Sequence, residues 1–351
     1  MSAYVAGTGS MMEEIIRQID ETELNAVVID VKDDQGRITY SMDLPLVNEI
    51  QACQAFIGDL PGLMETLKEH NIYPIARVVA FRDPYLAEKK PEWCIKNADG
   101  SIFRDRSGLA WVNPYKKEVW DYLVDIGKQA GRDGFKEIQF DYIRFSVDRG
   151  MQDVVFDEAD TQGREKTEVI TDFVSYAGRE LMEEGLYVSA DVFGAIIESE
   201  EDSASVGQNY GDMAGQLDYM CPMIYPSHYA PGNFGIENPD SKPYETVCKA
   251  LEGSRLCLEA AAGEETSQAS VRPWLQDFTA SYLNDYIEYG DNEVRQQIQA
   301  VYDSGYDEWI LWDAGVTYHY GGLLSPEEAK EEEAEIAQSR EALELTKVQE
   351  Q

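Results

Sequence analysis

Residues 134–146 read GFKEIQFDYIRFS. A glycine opens the run, apolar and polar residues then alternate, and an aspartate between aromatic residues closes it. Side chains on a strand point alternately to opposite faces. Ile138 and Phe140 therefore share one face, while Glu137, Gln139 and Asp141 share the other. In a barrel of parallel strands the apolar face meets the surrounding helices. The polar face then looks inward, with Asp141 nearest the mouth at the C-terminal strand ends.

The pattern of this stretch recurs along the chain. Eight short apolar runs are expected as strands: residues 3–7 (AYVAG), 25–31, 73–81, 137–143, 186–192, 217–225, 272–278 and 308–314. Amphipathic stretches at 11–23, 58–70, 114–131, 165–184, 207–215, 243–262 and 291–304 are expected as helices. Strands alternating with helices imply parallel strands joined by crossovers. Eight such units is the count at which the sheet closes into a (β/α)8 barrel. The fold class expected is therefore α/β, a single (β/α)8 domain over residues 1–322. The remainder, 323–351, is an acidic tail, helical or disordered. An open doubly wound sheet is the alternative, but its phosphate loops, GxGxxG or GxxxxGK(S/T), are absent. Asn113-Pro114 predicts a helix start. Gly134 and Gly185, each just before a strand, predict helix C-caps.

The chain has 351 residues, 43% of them hydrophobic, with 29 basic and 67 acidic residues and a net charge of −38. That charge repels nucleic acid and no basic patch offsets it. Residues 325–351 hold nine acidic and three basic residues, so most of the charge lies outside the tail. Its plain reading is solubility. Five cysteines without CxxC spacing argue against a disulfide framework. The three histidines, His70, His228 and His319, form neither HxH nor HExxH, which argues against a zinc hydrolase. No metal or cofactor is expected. No apolar run is long enough to span a membrane. The first ten residues lack the charged and apolar regions of a signal peptide. A cytoplasmic protein and one that has lost a leader both fit.

The second strand-end aspartate is Asp191. In 186–192, Val188 and Ala190 face the helices, while Tyr187, Ser189 and Asp191 face inward. Strands four and five thus each end in an inward aspartate. Neighbouring strands lie ~4.8 Å apart, so the two carboxyls fall within the roughly 5–9 Å that glycosidases use. The same reasoning puts Asp30 and Asp313 at the mouth, with Lys32, Arg77 and Arg144 beside them. A salt-bridge network among these groups is the structural alternative. Tyr225, Trp312, Trp274, Gln276 and His228 complete a set suited to sugar, since aromatic faces stack on C–H faces and amides bond hydroxyls.

The runs NAVVIDVKDDQGRITY, YPIARVVAFRDP, WVNPYKKEVWDY and GFKEIQFDYIRFS occur in that order. With LYVSADVFG, YMCPMIYPSHY and WILWDAG they resemble a bacterial family of glycoside-hydrolase domains bearing an FDYIRFP motif. The resemblance runs to about residue 322. It implies a barrel related to amylase-like and chitinase-like barrels, and signature residues Asp30, Lys32, Arg77, Asp141, Tyr142, Arg144, Asp191, Tyr225 and Asp313. Ser146 stands where the family has proline, which bears on loop geometry. The chitinase-like DxxDxDxE run is absent, which disfavours substrate-assisted chemistry. Many members of the family are exported or membrane-anchored, so the resemblance implies an extracellular or cell-surface place after removal of a leader or anchor.

Three functions fit these readings. The leading one is hydrolysis of an O-glycosidic bond in a poly- or oligosaccharide, with Asp141 as nucleophile or base and Asp191 as acid. Arg77 or Arg144 then holds Asp141 ionised, while Asp191 needs a raised pKa. The second is a glycan-binding barrel without catalysis. The third is a metal-dependent hydrolase using carboxylates alone.

Overall fold

The computed structural model describes residues 1–262 and 268–349. Seven strand positions run parallel, built from β1 (Ala26–Lys32), β4 (Tyr73–Val79), β5 (Glu137–Asp141), β6 (Tyr187–Phe193), β7 (Tyr219–Ile224), the pair β8 (Ser270–Val271) and β9 (Trp274–Gln276), and β10 (Ile310–Trp312). Two further strands, β2 (Ile38–Tyr40) and β3 (Cys53–Ile57), extend the sheet beyond β1. The order is β10-β9-β7-β6-β5-β4-β1-β2-β3, with β8 beside β7. Among the described strands of this sheet, only the β1–β2 pairing is antiparallel. Pro273, which has no N–H to give a ladder, separates β8 from β9, so the strand expected at 272–278 is shortened to β9, with β8 a separate piece just before it.

Helices cover the outer face. Gly9–Asp20, Leu60–Glu69, Lys117–Arg132, Lys166–Met182, Pro243–Ala261 and Asp291–Asp303 all match expected positions. One apolar cluster, Val28, Ile75, Cys221, Tyr225 and Trp274, fills the axis inside the strands. A larger one joins the outer strand faces, including Ile138, Phe140, Val188 and Ala190, to the helices. The inward and outward assignment of β5 and β6 therefore holds. Gly134 (φ 119°) and Gly185 (φ 78°) take the left-handed backbone that lets each helix end turn into the next strand.

Three expectations need correcting. Residues 3–7 do not form a strand; Ala3–Ala6 is a helical turn. Instead Met1 lies against β1, its amine donating to Val28 O (2.5 Å) and its carbonyl accepting from Asp30 N–H (3.3 Å). Among the described residues β10 and β1 do not pair. The helix expected from Pro114 begins at Lys117, because Asn113 Oδ1 accepts from Tyr115 N–H (3.0 Å) and closes a local turn first. The tail is helical over Pro326–Gln349. Its first turns dock through Glu332 to Arg295 (2.9 Å), which also holds Glu23 (2.8 Å).

Candidate active site

The C-terminal ends of β1, β4, β5 and β6 bring four charged side chains together. Arg77 comes from β4 and sits opposite Asp30 of β1 in register. Its Nη1 donates to Asp30 Oδ1 (2.8 Å), and its Nε and Nη2 donate to Asp141 Oδ2 (3.0 and 2.6 Å). Asp34 lies 3.5 Å away. Burial opposes the charge on Arg77, yet Asp141, Asp30 and Asp34 outweigh it and push its pKa up. The guanidinium is thus a fixed cation clamped between carboxylates. Asp141 is held a third time, by the N–H of Tyr142 on Oδ1 (2.6 Å). Tyr142 itself has φ 53°, a left-handed conformation costing roughly 1 kcal/mol for a residue with a Cβ. The strain falls where the chain leaves β5 beside this carboxylate.

Asp191 has a different environment. The pairing of Phe140 with Ala190 continues to set Asp141 beside Asp191, one strand apart. Asp191 is only 2% exposed. The indole N–H of Trp274 donates to its Oδ1 at 2.6 Å. Burial first, and the neighbouring Asp141 charge second, push its pKa well above the ordinary carboxylate value. The arrangement favours the proton on Asp191, next to the carboxylate that Arg77 holds.

An aromatic wall stands across the mouth. Tyr225 packs against His228 (ring centroids 5.1 Å), Phe278 (5.8 Å) and Trp312 (6.1 Å). Trp312 is 38% exposed and Tyr225 5%. Burial, then Asp191 and Asp141, push the Tyr225 hydroxyl pKa well up, which keeps it a neutral donor. The charge arrangement marks this mouth as the candidate site.

Other candidates lie elsewhere. Lys32 is fully buried away from the mouth, paired with Asp83 (2.9 Å) and donating to Val79 O (2.6 Å). The register of β1 shifts between Asp30 and Lys32. Gln276 is buried among loops, accepting from Ser227 N–H (3.0 Å) and donating to Asp240 (3.3 Å) and Phe278 O (3.0 Å). Asp313 shapes the turn after β10 by accepting from Thr317 N–H (2.9 Å). Arg144 does not reach Asp141. Its guanidinium lies over Phe193 (4.5 Å), Trp111 (5.0 Å) and Tyr142 (5.1 Å), and donates to Phe145 O (2.9 Å). Trp274, expected to stack on sugar, turns its indole N–H to Asp191 instead.

Two neighbours of the site escaped the residue-by-residue reading. Arg82 donates to the Tyr142 hydroxyl (2.5 Å) and lies 3.7 Å from Asp34. Both lie just beyond strand ends, in KDD and FRDP, where strand alternation no longer predicts direction.

The matching sequence family is described as "Putative glycosyl hydrolase domain", and its model spans residues 1–318. The chain belongs to this family. Membership makes it a glycoside-hydrolase domain. No curated protein sequence matches it. A hypothetical protein from Ruminiclostridium thermocellum shares 38% identity over 55% of this chain and 96% of its own, with a TM-score of 0.51. The glycoside hydrolase domain of PgaB (BpsB) from Bordetella bronchiseptica is 10% identical over 89% of this chain and 92% of its own, TM-score 0.58. The α-galactosidase TtGalA from Thermus thermophilus is 12% identical over 93% and 58%, TM-score 0.52. The last two likenesses are of fold alone, that of a (β/α)8 barrel.

Proposed function

We propose that the domain hydrolyses an O-glycosidic bond of a poly- or oligosaccharide with Asp191 as proton donor and Asp141 as its anionic partner. The observation that carries this reading is the unequal treatment of two neighbouring carboxyls. Arg77 and the Tyr142 N–H stabilise charge on Asp141. Burial holds the proton on Asp191. Such a split assigns acid and nucleophile or base. Asp191 gives its proton to the glycosidic oxygen as that bond breaks. Asp141 either attacks the anomeric carbon or takes a proton from water that does so. Trp312, Phe278 and Tyr225 supply apolar faces for the sugar ring.

The test is turnover on a panel of bacterial and plant polysaccharides, comparing wild type with Asp141→Asn and Asp191→Asn. Loss of activity in both, with folding intact, supports the pair. Full activity in either removes that residue from the chemistry.

The burial of Asp191 favours a second reading, a barrel that binds glycan without cleaving it. An acid that is 2% exposed meets a substrate only if the mouth rearranges. Wild type that binds glycan but cleaves none of the panel supports this second reading. A carboxylate-only metal site fits less well, because the Arg77 guanidinium occupies the place between Asp30 and Asp141 where a cation would lie.

A further inference from the structure

Two arginines serve the β5 end of the mouth, and their charges are met unequally. Arg77 directs its N–H groups to the carboxylates of Asp30 and Asp141. Arg144, on the loop that leaves β5, donates only to Phe145 O (2.9 Å) and makes no ion pair among the described residues. Asp148, on the same loop, accepts from Arg106 N–H (3.1 Å) instead. The Arg144 guanidinium lies over Phe193 (4.5 Å), Trp111 (5.0 Å) and Tyr142 (5.1 Å). Arg82 lies over the same Tyr142 ring (4.7 Å) and donates to its hydroxyl (2.5 Å). Burial pushes the Arg144 pKa down and Arg82 adds to this, while Asp141 and Asp148 offset only part. An arginine keeps its proton in a protein all the same. Arg144 is thus a half-buried cation, with most of its five N–H donors unengaged among the described residues.

Its place is set by β6. Strand alternation puts Phe193 on the same inward face as Asp191, two residues nearer the mouth. Two residues of strand span ~6.6 Å. Arg144 over Phe193 therefore sits roughly one sugar ring outward from the Asp191 carboxyl, on the β5–β6 side. Tyr225, Phe278 and Trp312 stand on the other side, after β7, β9 and β10. A glycan crossing from that wall past Asp191 meets Arg144 next. A buried charge is costly without a counter-charge. A planar carboxylate matches the guanidinium fork with two parallel N–H···O bonds. The Asp141 and Asp148 charges nearby favour a singly charged ligand group over a doubly charged phosphate. The net charge of −38 repels an acidic polymer at long range, but physiological salt screens that repulsion beyond ~8 Å. The pairing with Arg144 acts at contact.

We propose that Arg144 determines specificity by binding the carboxylate of a uronic acid unit, about one sugar from the bond on which Asp191 and Asp141 act. This rests on the reading of the mouth as a glycan-cleaving site, and it names the class of glycan as an acidic polysaccharide containing hexuronate. Trp111 and Phe193 hold the guanidinium in place beforehand, so little side-chain freedom is lost on binding.

The test reads binding by calorimetry, apart from cleavage. The probes are oligomers of galacturonic, glucuronic and mannuronic acid, each beside its carboxyl-reduced, neutral form. Wild type should bind at least one acid about 10-fold or more tighter than its reduced form, the effect of a charged, bidentate pair. Arg144→Gln should bring that acid to the affinity of its reduced form, and leave the reduced form within ~2-fold of wild type. Arg144→Lys should regain part of the preference, because the charge returns without the fork. Wild type that binds no acid tighter than its reduced form overturns the proposal, whether or not the variants fold. A preference kept by Arg144→Gln with wild-type circular dichroism overturns it too. A sulfated neutral oligosaccharide bound more tightly than every uronate overturns the choice of carboxylate. Turnover on the same probes separates the two readings. An Arg144-dependent preference for acid without cleavage overturns hydrolysis and keeps the uronate site. Cleavage of neutral glycans with no preference for acid does the reverse.

Discussion

The two halves of the barrel mouth are built from different materials. On the side of β1, β4 and β5, charged groups hold one another: Arg77 binds Asp30 and Asp141, with Asp34 and Arg82 behind them. On the side of β7, β9 and β10, the contacts are ring on ring, through Tyr225, His228, Phe278 and Trp312. Asp191 stands at the seam, with Asp141 on one side and the Trp274 indole on the other. The charged half is pre-oriented before any ligand arrives, which is what electrostatic stabilisation of a transition state demands. The aromatic half offers apolar area with little orientation. The difference teaches that substitutions on the charged side should act on kcat, and those on the aromatic side on KM.

The largest break in this contrast is Asp141→Asn. With Asp141 as nucleophile or base, kcat should fall by about 10³-fold or more. Tm should change little, because Arg77 keeps Asp30 and Asp34. A kcat within ~10-fold of wild type ends the assignment. Lys32→Ala sharpens the contrast by moving stability instead. It leaves Asp83 buried without its cation, a loss of about 3–5 kcal/mol in urea unfolding, ~10²- to 10⁴-fold in the folding equilibrium. The folded fraction should keep its kcat and KM, since Lys32 braces the charged half from outside the mouth.

The seam answers to pH. The raised pKa of Asp191 means the folded state holds its proton at pH values where the unfolded chain has released it. Its contribution to stability is complete below the ordinary aspartate pKa, ~3.9, and is lost as pH rises through the raised value. Asp191→Asn removes that loss. The variant should therefore match or exceed wild-type Tm at neutral pH, and its advantage should shrink toward pH 4. A constant difference across that range would show that Asp191 does not carry the proton. Wild-type turnover should also decline on the alkaline side as Asp191 ionises.

Much of this site was legible because strand alternation is a local rule. Ile138 and Phe140 fix the outer face of β5, so Asp141 follows; Val188 and Ala190 do the same for Asp191. The Arg77–Asp30 pair follows from the same rule on two adjacent strands. The rule fails where one residue is out of step. The register shift between Asp30 and Lys32 takes the lysine away from the mouth, and nothing in VIDVKDD marks it. Gln276 depends on Ser227 and Asp240, 49 and 36 residues away, so its partners are invisible locally. AYVAG is too short for periodicity to separate helix from strand. The parallel strands were readable, while the lack of pairing between β10 and β1 among the described residues was not, because it depends on two edges far apart in sequence.

The smallest effect tests the aromatic half. Trp312 is exposed and lies edge-on to Phe278 (5.7 Å, 79°). Removing its ring takes away a stacking face for the sugar, about 1 kcal/mol, while the charged half remains intact. Trp312→Ala should raise KM by roughly 3- to 10-fold and leave kcat within ~2-fold. Trp312→Phe should recover most of the KM, since the face returns without the indole N–H. If kcat instead falls with KM unchanged, the ring acts on the transition state, and the division of labour between the two halves fails where it was drawn most plainly.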